Sequence, residues 1–492
     1  MRYQYARGAE DLTRSPGSGR IQSAARPRGA NSGETASGGF TVTHSRRIVG
    51  GLVLTLACIL AACGDPGGGG GYCIVSYNTG SYGFGIGGGT PPASQYVALG
   101  SVITLPGMGG MTPPITGETF LGWSDAQFHE AGASYTVHAT LTLTARWGFT
   151  DIDAISDYLN TANGTKSEPA DLRVCLDLED DWEDLLALLY TAGDYVDLDL
   201  LLSATTGANG EFDADPALTG DAQSGKGYVF TLALPNAATS VKAGTDSVPT
   251  FEGFDELTAV RGEWVTAIGN YAFSALPVLR SAQFGRAAFI GEGAFYNCPL
   301  LLNLGLNEVV SIDVAAFEGC TNLDYINLPA TLTTFTNNPF AGCTSLDNLS
   351  VAPGNASFSA LNGRLMDKAR TTLIAYPSAK DEVTGLTAIT TVGNYAFSGC
   401  ADLTSVLLPN ATSFGAGAFA NTGTGPLTVI LGATPPSVGP NMFNGVTGGP
   451  KNVTVKVPYD NSAAWEPEGY TTAWLSSFNA NANVTVTIEA AP

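Results

Sequence analysis

Cys298, Cys320, Cys343 and Cys400 are the chain's most reactive side chains to recur at fixed spacing, each three residues after a phenylalanine. A zinc site would need a C-x-x-C pair or a histidine partner. Neither lies near them, and only His129 and His138 stand beyond the N-terminal region. Leu276 fills the equivalent position after Phe273, so the site accepts Cys or Leu and reads as buried and apolar, with the thiol packing as a small hydrophobe. A disulfide between stacked neighbours about 4.8 Å apart is within geometric reach, but packed free thiols are the expectation. Asp213, Asp215 and Asp221 sit in a Gly-rich loop that lacks the glycine and terminal glutamate of an EF-hand, and read as a solvated turn. Asp177, Glu179, Asp180 and Asp181 suit a helix N-terminus, where negative charge complements the dipole. A glycosidase needs two opposed carboxylates in a cleft, and nothing marks such a pair. G-x-S-x-G, H-E-x-x-H and phosphate-loop motifs are missing, and three histidines in 492 residues leave nucleophiles without a base. No catalytic residue, metal or cofactor is expected.

A period organises these residues. Phenylalanine recurs at Phe273, Phe295, Phe317, Phe340, Phe397, Phe419 and Phe443, at intervals of 22, 22, 23, 57, 22 and 24 residues. Repeats in the low twenties build solenoids, whose coils bury apolar residues only by stacking on one another. Each copy follows F-x2-C-x2-L-x2-I-x-L-P, as in Phe317, Cys320, Leu323, Ile326, Leu328 and Pro329. The last two apolar positions lie two apart and face one side of a strand, which the proline ends. Phe and Cys fall on the returning side, lining a single continuous interior. In the 57-residue interval, Asn362-Gly363 followed by Thr372 to Tyr376 reads as an inserted hairpin or extra coil. After Phe419 the template weakens: Thr422 replaces Cys and Gly423 to Pro426 break the strand. Val453 to Val457 and Val484 to Ile488 read as closing strands. Outward positions of the coil strands, Gln283, Asn303, Tyr325, Asn327, Asn348, Ser350 and Ser405, form one polar, nearly flat candidate binding face.

Ile268-Gly269-Asn270-Tyr271-Ala272-Phe273 and Val392-Gly393-Asn394-Tyr395-Ala396-Phe397-Ser398-Gly399-Cys400, with the Asn-Gly insertion, resemble BspA-type leucine-rich repeats over about 265–450. Upstream, Phe120-Leu121-Gly122-Trp123-Ser124, Tyr135-Thr136-Val137 and Leu141 to Trp147 resemble the internalin B-repeat (Listeria–Bacteroides repeat), a small β-grasp-like module of bacterial surface proteins. There Trp123 and Trp147 anchor a small core rather than stack on sugars, and Gly80 to Gly89 and the His129 region are expected as loops. Between module and repeats, Asp151 to Ala162 and Trp182 to Tyr190 have helical spacing; Leu172 to Leu176, Tyr195 to Leu201 and Tyr228 to Leu234 read as strands. This block is similar to the N-terminal part of treponemal leucine-rich-repeat lipoproteins; it would cap the solenoid's open end, with Cys175 in its core. The resulting class is mostly β with α+β elements: a leucine-rich-repeat solenoid preceded by a small β-grasp-like domain. Its expected segments are a polar extension plus signal (1–62), a Gly-rich tether (63–71), the β-grasp-like module (72–148), an α/β cap (149–262), the repeats (263–450) and a C-terminal β cap (451–492).

Arg46-Arg47 precede an apolar run from Ile48 to Ala62, too short for a bilayer span but built like a secretory signal. It ends Leu60-Ala61-Ala62-Cys63, which resembles the bacterial lipoprotein box. The resemblance implies cleavage before Cys63 and acylation of its thiol and new amino group; two or more chains anchor stably where one does not. Gly64 to Gly71 would then be a flexible tether holding the folded part off the membrane. Residues 1–43 are polar and Arg-rich, and translation is expected to start downstream of most of them. The chain's net charge is −22. Residues 1–62 carry eight Arg against three acids, net +5, which leaves −27 for the remainder. Such a surface repels nucleic acid and anionic membrane, so anchorage falls to the lipid.

These readings converge on a lipid-anchored protein of the bacterial cell envelope, displayed on the outer-membrane surface. Its face would bind a protein of a host or neighbouring cell, or a glycan. A structural spacer without a ligand is the alternative, and a carbohydrate-active enzyme the least favoured reading.

Overall fold

The computed structural model describes residues 72–445 apart from 83–84, 126, 381–382 and 384, together with 451–458, 470, 472–478 and 483–491. Cys63, the signal-like run and the tether lie outside the described residues.

Each coil of the repeat carries two strands. The front strands Ala170–Arg173, Val196–Asp199, Val229–Ala233, Ala259–Arg261, Ser281–Gln283 and Asn303–Gly305 form one parallel six-stranded sheet. A second parallel sheet runs along the back through Glu211–Phe212, Ser240–Val241, Ala267–Ile268, Phe289–Ile290, Ser311–Ile312 and Thr334–Phe335. The sequence template assigned only the front strand; two residues are too few to show an alternation. Equivalent residues stand directly opposite each other, Ala282 with Leu304 in front and Ile290 with Ile312 behind.

That register stacks the phenylalanines. Phe273, Phe295, Phe317 and Phe340 follow one another with ring centroids 5.3, 5.5 and 5.7 Å apart and planes within 11° of parallel, in the range of favourable aromatic pairs. Behind them the thiols do more than fill space. Cys298 donates to Phe273 O (3.0 Å), Cys320 to Phe295 O (3.2 Å) and Cys343 to Phe317 O (3.2 Å), so these three buried carbonyls each gain a donor from the next coil. These thiols are free. The ladder turn is tight. Two residues before the phenylalanine, Tyr271, Gly293, Ala315, Tyr395, Gly417 and Asn441 have φ between 50° and 58°; two after it, Ala275, Asn297, Gly319, Gly342, Gly399, Asn421 and Gly445 also have positive φ. Gly and Asn adopt that region at little cost, whereas Ala and Tyr are strained there.

The long interval is a hairpin and a coil together. Phe358–Leu361 and Arg364–Asp367 pair antiparallel around Asn362-Gly363, with φ of 52° and 81°, the type I′ geometry that suits strand twist. Thr372–Ala375 follows, and Tyr376 takes the ladder position against Phe397 at 5.2 Å. The stack resumes with Phe397, Phe419 and Phe443 at 5.0 and 5.6 Å. The interior does not run unbroken, however. In the solenoid the described buried residues form two clusters, one from the cap through Leu349, Phe358, Leu365 and Ala375, the other from Met366, Leu373 and Tyr376 to the C-terminal strands. The expected single interior is corrected to two, meeting at the hairpin, where the adjacent Leu365 and Met366 belong to opposite clusters.

The ends are closed differently. N-terminally, helix Ile152–Ala162 starts on an Asp151 cap and helix Leu178–Ala192 on Asp177. The second buries Trp182, Leu185, Leu186 and Leu189. C-terminally, Ser405–Leu408, Leu427–Leu431, Lys451–Pro458 and Val484–Ala491 form a parallel sheet, and helix Thr472–Phe478 sets Phe478 against Phe443. Where Thr422 breaks the template, the fully buried Lys451 ammonium donates to the carbonyls of Thr422, Gly423 and Gly425 at 2.9 to 3.2 Å. Burial lowers its pKa to about 8.

Residues 72–148 form a five-stranded sheet in the order Gln95–Ala98, Tyr72–Asn78, Leu141–Gly148, Thr119–Ser124, Phe128–Glu130. The first and last long strands pair in parallel, and no helix crosses them among the described residues. Trp123 and Trp147 are buried, donating to Pro106 O (2.7 Å) and Thr79 O (3.0 Å). Two expected loops are strands instead: Gly88–Thr90 pairs with Gly110–Thr112, and His129 lies in Phe128–Glu130 opposite Trp123. Glycine and a lone polar aromatic mask the strand pattern at both places. The unit joins the solenoid through backbone: Phe149 N donates to Arg173 O and Cys175 N to Phe149 O, both 2.8 Å. Arg173 Nη2 meets Glu118 Oε1 at 2.7 Å across the junction.

Candidate binding face

The front strands present alternate side chains outward, so the seven candidate residues are placed by the same register that stacks the phenylalanines. Gln283, Asn303, Tyr325, Asn327, Asn348 and Ser405 are exposed and Ser350 is half-buried. They do not share one sheet. Gln283 and Asn303 end the six-stranded sheet; Tyr325–Leu328 and Asn348–Val351 form a separate pair. Ser405 lies on the C-terminal sheet beyond the hairpin. The expected single flat face is therefore corrected to three sheets in series. The hairpin causes the second break, because Gly363 O accepts from Leu349 N (3.0 Å) and occupies the place of the next front strand.

At the first break the coils stay joined at their turn, where Asn322 N donates to Pro299 O (3.0 Å), while the strands part. The gap is a groove of about 480 Å³ lined by Gln283, Asn303, Tyr325 and Asn327, with Leu302 and Asn307. On its far wall Tyr325 Oη and Ser350 Oγ lie 2.8 Å apart, and Ser350 donates to Asn327 Oδ1 (2.8 Å). Four amide side chains, one phenol and an exposed leucine give the groove donors, acceptors and apolar surface without formal charge. Such a lining suits an uncharged, extended ligand with its own backbone-like donors and acceptors. Leu302 and Asn307 escaped the sequence analysis because they flank the strand, outside the alternation that identifies outward positions.

Other candidates resolve differently. Asp213 pairs with Lys242, and Asp215 with Lys226 at 3.1 Å; Asp213 is buried. The expected solvated turn holds two ion pairs at Asp213 and Asp215, while Asp221 is exposed. Cys175 is half-buried and donates to Leu202 O (3.1 Å), while Val174 takes the core position. A second cleft, of about 330 Å³, lies where the N-terminal sheet meets the first coils, between Phe128 and Arg146 on one side and Asp199, Asn236 and Trp264 on the other. Arg286 stacks on Trp264 with its guanidinium carbon 3.9 Å from the ring centroid.

Fold and face together define a leucine-rich-repeat solenoid. Residues 250–360 and 379–453 match the model of the BspA type leucine rich repeat region, in six copies. Among solved structures, the chain is similar to a leucine rich cell surface protein from Faecalibacterium prausnitzii, with 18% identity over 59% of this chain and 86% of that one and a TM-score of 0.36. It is also similar to the pneumococcal vaccine antigen PcpA, with 16% identity over 54% and 84% and a TM-score of 0.33. A third is the T. pallidum leucine rich repeat protein TpLRR, with 21% identity over 44% and 76% and a TM-score of 0.23. At these scores the likenesses carry no functional weight. No curated protein matches the chain.

Proposed function

We propose that this is a bacterial surface lipoprotein, anchored through Cys63, whose front face binds a protein of a host or neighbouring cell. The reading rests most on the groove between Asn303–Gly305 and Tyr325–Leu328, where four outward residues of successive coils converge on one uncharged depression. Leucine-rich-repeat solenoids use extended surfaces of this kind for protein partners. The lipoprotein box supports display, because an acidic chain with no basic patch has no electrostatic route to a membrane. The ligand is read as an extended polypeptide segment whose backbone pairs with Gln283, Asn303 and Asn327 while a side chain packs on Tyr325 and Leu302.

The test uses the full chain on intact cells. Protease shaving should remove the folded part without opening the envelope, and the purified protein should bind a saturable number of sites on partner cells. Tyr325→Ala with Asn303→Ala should weaken that binding at least tenfold while circular dichroism stays unchanged. Shaving without saturable binding would favour the spacer reading; protection until the envelope is opened would refute display.

A further inference from the structure

From Pro66 to Gly117 there is no Asp, Glu, Lys, Arg or His. At the chain's average of 13% charged residues, about seven would fall in these 52 positions. The same stretch contributes Tyr72, Tyr96, Leu99, Val102 and Met108, five of the thirteen large hydrophobic side chains exposed among the described residues. Tyr96 is 74% exposed, Val102 64% and Tyr72 56%, so these residues do not serve the module's own core.

They are also gathered. Tyr72 stands opposite Ala98 and Ile74 opposite Tyr96 in the antiparallel pair at the sheet edge. Directly opposed residues point to one side, and the alternation buries Cys73 and Val75, so these four lie together on the outward side. Leu99 and Val102 flank the adjoining turn, closed by Ser101 N donating to Ala98 O (3.0 Å). The unit's acids and its arginine, Glu118, Asp125, Glu130 and Arg146, lie off these two strands. The titratable group beside the patch is His138, next to Val137, which bonds Gly100 and Ser101 at the turn, and the cleft with the solenoid begins at the opposite edge. The module is thus polarised, with an apolar, uncharged edge on one side and the solenoid on the other.

We propose that this edge rests on the lipid bilayer interface, so that the module is a membrane-seated base projecting the solenoid outward. Exposed tyrosines beside aliphatic residues suit the headgroup boundary, where an apolar ring is buried and its hydroxyl stays wet. Freedom from charge spares the edge the desolvation that a carboxylate would cost, although the rest of the protein is strongly acidic. The chain also arrives here: Tyr72 belongs to the patch and lies nine residues after Cys63, a separation of roughly 30 Å at full extension. Acylation would therefore bring this edge to the surface before any other. The tether then serves as a short leash to a seated module rather than a spacer. Lipid anchoring enters only as the means of delivery; seating is a property of residues 72–108.

The test is hydrogen exchange on the full-length protein in phosphatidylcholine vesicles, with flotation reporting anchorage separately. Peptides covering 95–104 should exchange at least fivefold more slowly on vesicles than in detergent-free solution, while the front-face peptide 300–310 should not change. Tyr96→Ser, Leu99→Ser and Val102→Ser together should keep flotation and lose the protection. If the wild type fails to float, the anchor reading fails; the same window is then read on protein held to chelator lipid by a hexahistidine tag placed before residue 64. Unchanged exchange at 95–104 on protein that is vesicle-bound by either route overturns the proposal.

Discussion

Replacing Phe317 by alanine removes the middle of the aromatic ladder, and its cost follows from the geometry. The ring is fully buried and stacks on Phe295 at 5.5 Å and on Phe340 at 5.7 Å. Truncating such a phenylalanine costs about 3–5 kcal/mol in transfer and cavity terms, within which each stacked pair contributes about 0.5–1.5 kcal/mol. In a stacked array, stability is carried by the coils and their nearest-neighbour interfaces, so the loss acts on both neighbouring coils. Phe317→Ala and Phe295→Ala should therefore be non-additive by roughly one stack, about 1 kcal/mol, whereas Phe317→Ala and Phe443→Ala should simply add. Because the interior divides at the hairpin, native-state hydrogen exchange should show the opening free energy falling around Phe295, Phe317 and Phe340 and holding around Phe419. A cost below about 1 kcal/mol, or equal loss of protection in both clusters, would refute this reasoning.

Three further outcomes follow. Ala275→Gly should stabilise the first coil by about 0.5–1 kcal/mol in urea denaturation, because Ala275 is exposed at φ 60° and relief of left-handed strain exceeds the entropy glycine adds to the unfolded chain. Lys451 titrates near 8 when folded against 10.5 otherwise, so the unfolded chain binds more protons between those values. Its contribution therefore rises with pH across that window, by about 3 kcal/mol at most. Buried thiols such as Cys298 and Cys343, held at about 12 by burial, act with the opposite sign above pH 9, so the lysine term is read as the difference between wild type and Lys451→Met. Finally, Cys298, Cys320, Cys343 and Cys400 should resist a thiol reagent at pH 8 until the protein unfolds, with half-buried Cys175 reacting first among the described cysteines; prompt labelling of the four would place them outside the core.

Much of this molecule was legible in its sequence because stacked coils repeat their chemistry. Phe317, Cys320, Leu323, Ile326 and Leu328 are all buried, and one period with one alternation predicts each of them. The outward residues followed from the same alternation. What escaped is what breaks the repeat or lies across it. Asn303 and Tyr325 look equivalent in sequence, yet a sheet boundary runs between them, since strand pairing depends on how two coils settle rather than on either alone. The interval between Phe340 and Phe397 was legible as a hairpin or extra coil, but not that Tyr376 within it stacks on Phe397 and opens the second ladder. Lys451 could not be foreseen as a core residue, because its three carbonyl partners come from a loop more than twenty residues earlier. The reason for Cys over Leu became plain only with the Phe carbonyls in place.

The binding face is tested most directly by placing a photo-crosslinking amino acid at Tyr325, inside the groove, and separately at Phe289, an exposed residue of the back sheet. On partner cells, the Tyr325 position should give a discrete protein adduct that unlabelled protein competes away, and the Phe289 position should give none. Adducts of equal yield from both faces, or from the back alone, would contradict the account.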